Sequence, residues 1–290
     1  MLILLRHLLI FLSAAIFVTF SSCQSSAKAE KPNIEVSIAP YRYFVERLIG
    51  EHITVDLLVP IGANSHSFEP TPQQAMRVAN ADLWLRIGDA FEDRIISAVR
   101  DLKKSPKIVD LRDGIDLIAE ETLHHHDHSH SGKDPHTWLS PALMKHQLQI
   151  IVSELEALYP EHASLITENF IILNKELDDL DLYLRKSLSR VVNRSMMVSH
   201  GAFAYFCREY NLQQIAIEWE GRDPLPQQLT HTIQMAREHS IKKIYVQPQF
   251  SQKGATLIAH ELGAELVLID PYSEDYFSNL RRLANELAED

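Results

Sequence analysis

The 290-residue chain has little glycine and almost no cysteine. Nine glycines leave little material for phosphate-cradling loops, and no G-x-x-x-x-G-K-[ST] occurs, which argues against a P-loop nucleotide enzyme. The two cysteines, Cys23 and Cys207, cannot supply a disulfide framework or ligate an iron–sulfur cluster. No H-E-x-x-H metalloprotease motif is present. Beyond the N-terminus no apolar run is long enough to span a bilayer. Positive charge is also scarce: 28 Lys and Arg face 39 Asp and Glu, a net charge of −11. Such a chain is ill suited to tracking phosphate backbones, which speaks against nucleic acid as a partner, and well suited to cations. With 46% hydrophobic and 23% charged residues, disordered and fibrous classes are disfavoured, and the length admits one large or two ordinary domains. What stands out is histidine: fifteen in all, five of them within His124–His130.

Residues 1–22 read as a signal peptide. Arg6 and His7 form a short basic start, and Leu8–Phe20 is an apolar stretch too short for an ordinary transmembrane helix. It ends in Phe20-Ser21-Ser22-Cys23, which resembles a bacterial lipobox. On that reading Cys23 carries lipid and becomes the first residue; the plainer alternative is simple cleavage nearby. Removing residues 1–22 takes away Arg6 and no acid, so the mature chain is more acidic still. Residues 23–32 are small and polar, a tether. Cys207 sits in an apolar helical stretch, where core packing is the expected role rather than metal ligation.

From residue 33 strand-like and helix-like patterns alternate. Strands are expected at Asn33–Ala39, Ile53–Val59, Asp82–Ile87 and Lys107–Leu111, with helices at Tyr41–Ile49 and Phe91–Leu102. A second series has strands at Ser195–Ser199, Leu212–Glu218, Lys243–Gln247 and Glu265–Asp270, and helices at Ala202–Tyr210, Pro226–His239, Ser251–Leu262 and Glu274–Leu287. Short apolar strands separated by helices argue for parallel sheets covered on both faces. Between the series the period changes. Met144, Leu148, Ile151, Leu155 and Leu158, then Ile166, Phe170, Leu173, Leu177, Leu180 and Leu184, recur at helical spacing. The expected fold is therefore α/β: two lobes, each a mainly parallel four-stranded sheet flanked by helices, joined by a long rigid helix. The lobes are read as 33–150 and 192–290, with the connecting helical region at 151–191.

Four segments place a metal-binding residue type just past a strand or at mid-chain: His66 in Gly62-Ala-Asn-Ser-His66-Ser-Phe-Glu-Pro, His136 in Asp134-Pro-His136-Thr-Trp, His200 after Ser195–Ser199, and Asp270 after Glu265–Ile269. Ligands of open α/β sheets bind at the carboxyl ends of strands, so two facing lobes can bring these residues to one cleft. Three imidazoles and a carboxylate make an N3O set that fills a tetrahedral zinc shell. Each histidine alone has an ordinary explanation, and His52, His146, His162, His231, His239 and His260 are read that way.

The stretches GANSHSFEPTP, DPHTWLSP, VSHGAFAYF and YVQPQF…LIDP resemble the cluster A-I (cluster 9) substrate-binding lipoproteins of bacterial metal ABC transporters, across essentially the whole mature chain. The resemblance implies two α/β lobes on a long helix, a cognate ABC permease as partner, and metal ligands at His66, His136, His200 and Asp270. It implies an extracytoplasmic protein held to the membrane through Cys23, in the periplasm or at the cell surface; the wide apolar stripe of the long helix is expected to pack on its own domain, as in a monomer, with a coiled-coil dimer as the alternative. Histidine at position 200 resembles the zinc receptors, where manganese receptors usually carry Glu; Mn2+ and Fe2+ are the alternatives to Zn2+. Ser65 and Ser67 depart from the family's usual neighbours of the first histidine, which bears on pocket shape. The tract His124, His125, His126, His128 and His130, within loop 121–133, occupies the place of a His-rich loop in zinc receptors and is expected to collect metal. Trp138 and Phe203 are expected to wall the site, and Glu220 to lie at its rim without binding metal. An exported zinc hydrolase, with three histidines and an open water position, and a surface adhesin are the alternatives from other classes.

Overall fold

A computed structural model of the chain describes residues 32–100, 105–119, 132–218 and 222–289. The signal and tether, Cys23, the tract His124–His130 and Glu220 lie outside the described residues. The first sheet contains β1 (Asn33–Val36), β2 (Thr54–Leu57), β3 (Leu83–Arg86) and β4 (Lys107–Asp110), all parallel, in the order β2-β1-β3-β4. The second contains β5 (Ser195–Val198), β6 (Gln213–Ala216), β7 (Lys243–Val246) and β8 (Glu265–Leu268), also parallel, in the order β6-β5-β7-β8. Each order reverses direction beside the sheet's first strand, and such a reversal opens a crevice at the carboxyl ends of the strands.

The central strands are buried on both faces, as parallel strands between helix layers must be: Ile34, Val36, Leu83, Trp84, Leu85, Met196, Met197 and Val198 are fully inaccessible. The helices around the first sheet are α1 (Ala39–Ile49), α2 (Pro72–Asn80) and α3 (Ala90–Val99). Around the second are α6 (Ala204–Glu209), α7 (Pro226–Glu238), α8 (Lys253–Leu262) and α9 (Tyr276–Ala288). Between them lie α4 (Pro141–Leu158) and α5 (Ala163–Leu188). The two-sheet α/β architecture with a long helix agrees with the sequence reading. Helix α2 is an addition to it. Thr71 starts α2 with a capping box, its hydroxyl accepting from Gln74 N while the Gln74 side chain accepts from Thr71 N, and Pro72 fills the first turn.

Helix α5 has 26 residues and so extends about 39 Å. Its buried stripe is Ile166, Leu173, Leu177, Leu180, Leu184 and Leu188. The helical region read as 151–191 is broken near its start, where Pro160–His162 forms a single 3-10 turn between α4 and α5. One apolar core unites residues of both sheets with α1, α4, α5 and α9, while a smaller cluster lies on the far side of the second sheet under α7 and α8. Among the described residues no helix is long and apolar enough to cross a membrane.

Candidate metal centre

His66 sits in the loop after β2, on a 3-10 turn (Ser65–Ser67) whose start is capped by Asn64, with Oδ1 accepting from His66 N at 2.9 Å. His136 is fixed by Asp134, whose Oδ1 accepts from both the backbone N (2.8 Å) and the ring Nδ1 (2.7 Å) of His136. His200 follows β5 directly. The buried Gln247, just past β7, holds its backbone on both sides, with Oε1 accepting from His200 N and Nε2 donating to His200 O.

The three Nε2 atoms converge. His66 and His136 are 3.2 Å apart, His66 and His200 3.2 Å, and His136 and His200 3.4 Å. Among the described residues these three histidines form the one group with metal-binding geometry. With zinc–nitrogen bonds of about 2.0–2.1 Å, a tetrahedron has nitrogen–nitrogen edges of about 3.3–3.4 Å, so the triangle fits one face of a zinc shell.

Each imidazole is gripped at its other nitrogen by a carboxylate. His66 Nδ1 is 3.1 Å from Asp89 Oδ2, His136 Nδ1 2.7 Å from Asp134 Oδ1, and His200 Nδ1 2.8 Å from Glu218 Oε2. A carboxylate at Nδ1 keeps the ring proton there and leaves the Nε2 lone pair facing the common centre. Three lone pairs so close repel one another unless a cation lies between them. Burial, then the neighbouring rings of His136 and His66, hold the His200 imidazole well below its ordinary pKa, so this ring is neutral and ready to donate. Burial pushes the Asp89 carboxyl up, but the contacts from His66 and Ser65 outweigh it and hold the group below the usual range.

Asp89 and Glu218 were not among the residues singled out by motif. Both nevertheless obey the strand-end rule, standing just past β3 and β6. Gly88 makes the first placement possible: its φ is +80°, and a Cβ there would overlap the Arg112 guanidinium. Asp89 occupies the N-cap position of α3 without capping it; its side chain accepts from Ser65 Oγ at 2.7 Å and faces His66.

Asp270 stands outside the histidine cluster. Its Oδ1 accepts from Gln249 Nε2 (2.7 Å) and Tyr272 N (2.9 Å), and its carbonyl from Asn279 Nδ2 (2.7 Å). The segment after it is tied to the first lobe: Tyr272 OH lies 2.8 Å from Ser65 Oγ, and Trp138 Nε1 donates to Pro271 O at 2.8 Å. Trp138 packs 5.2 Å from the His136 ring, as a wall. Phe203 is fully buried with its nearest ring neighbour Phe206, and the wall on the His200 side is Phe250, stacked at 3.8 Å and 8°.

The model of the family described as zinc-uptake complex component A, periplasmic, matches residues 34–290. The chain belongs to this family. A putative metal-binding protein of Chlamydia muridarum is 34% identical over 258 residues, covering 88% of this chain and 90% of that one. The high-affinity zinc uptake system protein ZnuA of Bacillus subtilis is 28% identical over 278 residues, 90% of this chain and 87% of its own. A crystal structure of ZnuA superposes with a TM-score of 0.81 at 35% identity, covering 89% of this chain and 98% of that one. Membership makes this a substrate-binding component of an extracytoplasmic uptake system, and its metal is cargo rather than a resident cofactor.

Proposed function

We propose that this protein is a receptor that binds one Zn2+ between its lobes through His66, His136 and His200 and delivers it to the permease of an ABC transporter. The convergence of three carboxylate-anchored Nε2 atoms within 3.4 Å of one another is the observation that carries this reading. A nitrogen-rich site favours zinc over manganese, which prefers oxygen. Asp270 supplies the fourth ligand by moving in from its bonds to Gln249 and Tyr272. No reaction is catalysed: among the described residues the three carboxylates nearest the rings are committed to Nδ1, which leaves none of them as a general base for a bound water. Lipid on Cys23 anchors the monomer outside the cytoplasm.

The test is native mass spectrometry of the mature chain with elemental analysis. One equivalent of zinc is expected, lost on replacing His136 by Ala. One equivalent of manganese or iron with zinc excluded would overturn the zinc assignment. The histidines 124, 125, 126, 128 and 130 act as a weak collector that raises local zinc concentration. Deleting residues 124–130 is expected to leave the tight equivalent in calorimetry and remove additional weak ones; unchanged stoichiometry would refute the collector.

A further inference from the structure

Tyr205 lies in α6, five residues past His200, and is 1% exposed. Its hydroxyl reaches across to the first lobe, accepting from Ile118 N at 3.0 Å and donating to Asp134 O at 2.8 Å. Ile118 and Asp134 face each other beside the antiparallel bridge between Ala119 and Lys133. Asp134 N donates directly to Ile118 O at 3.0 Å. In a regular antiparallel pair the reciprocal bond would run from Ile118 N to Asp134 O. Here the phenol is inserted in its place and relays it. Arg208 covers the ring face from 5.1 Å.

Asp134 is the residue that orients His136, through two bonds to one oxygen. Its backbone is pinned by Ile118 on one side and by Tyr205 on the other. We propose that Tyr205 is a positioning residue for the metal centre, a phenol from the second lobe that fixes the Asp134–His136 turn of the first. The segment that presents His200 thereby also sets the aim of His136, although the two ligands are 64 residues apart. Without the hydroxyl, the half-buried Ile118 N and the buried Asp134 O lose their partner, and the turn shifts to recover one. A ligand out of aim shows first in how long the ion stays.

This inference rests on the receptor reading above, and the experiment separates the two. The mature chain and its Tyr205→Phe and Tyr210→Phe variants are loaded with Zn2+ and, separately, Co2+. Tyr210→Phe is the control, because it also removes a buried phenol at the end of α6, one that bonds Asp181 at 2.9 Å rather than Asp134. Tyr205→Phe is expected to release zinc about tenfold faster to a chelator and to alter the visible absorption of bound cobalt, with metal-free unfolding temperature matched to that of Tyr210→Phe. Tyr210→Phe is expected to match the parent in both metal readings. Equal release and identical cobalt spectra in all three chains would overturn the role of Tyr205, as would equal changes in both variants. Failure of the parent itself to bind either ion would instead overturn the receptor reading.

Discussion

An imidazole free to turn can offer either nitrogen to a metal, and a carboxylate at Nδ1 removes that choice. Two of the partners come from other strand ends of the same sheet: Glu218 follows β6, which pairs with β5 ahead of His200, and Asp89 follows β3, one strand removed from the β2 that leads to His66, whereas Asp134 lies in the same turn as His136. Exchanging Glu218 for Leu leaves His200 free to turn and is expected to weaken zinc binding by about 10- to 100-fold in chelator competition. Glu218→Gln, which keeps an acceptor oxygen, should lose less. Equal affinity in all three chains would show that stacking on Phe250 holds the ring without Glu218. The histidines were legible in the sequence because three strand-end or loop motifs carried them. Asp89 and Glu218 were not, since acids are common and only sheet order shows which one faces which ring. Asp270 was legible as a candidate, but its bonds to Gln249 and Tyr272 depend on where β7 ends relative to β8.

At the scale of elements, β1 carries an acid where an apolar residue is expected. Glu35 is fully buried, and Arg77 from α2 reaches its Oε1 at 3.0 Å and Leu57 O at 3.3 Å. Oε2 has no hydrogen-bond partner among the described residues. Burial pushes the carboxyl up to about 7, the Arg77 contacts oppose this, and Asp56 adds to it. The folded chain therefore holds a proton between about pH 4.5 and 7 that the unfolded chain has released. Stability from this group is fully present at low pH and is lost as pH rises toward 7, by about 3 kcal/mol at one pKa unit per 1.36 kcal/mol. Glu35→Gln cannot titrate. The stability of the parent relative to Glu35→Gln is expected to fall between pH 5 and pH 8 in thermal melts, and a difference that does not vary with pH would refute the assignment. Helix α2, which supplies Arg77, is also the element that periodicity did not reveal. Only two of its nine residues, Val78 and Ala79, are buried, so it lacks the apolar stripe by which α5 was read. Its visible signal was the Thr71–Gln74 cap.

For the whole molecule the question is whether two sheets on one helix behave as two bodies. The long helix was readable from its stripe, but the second connection was not, because it depends on where α9 returns. Phe44 of α1 meets Tyr276 and Phe277 of α9 edge-on or tilted at 5.1 and 6.1 Å. Tyr276 OH donates to Trp138 O at 2.8 Å, and Arg42 Nε donates to Glu274 at 2.6 Å. The last helix thus packs against the first, and both pack on α5 within one apolar core. A core shared in this way cannot melt on one side and stay intact on the other. Calorimetry of the metal-free chain is expected to show a single unfolding transition. Phe44→Ala should lower its stability by about 3–5 kcal/mol without splitting it. Because the histidines come from both lobes, zinc binds only the intact arrangement and should raise that one transition as a whole, by about 2.7 kcal/mol at a free ion concentration 100 times Kd. Two transitions, of which zinc moves only one, would mean that the aromatic contacts between α1 and α9 do not couple the lobes and that the helix is their one effective link.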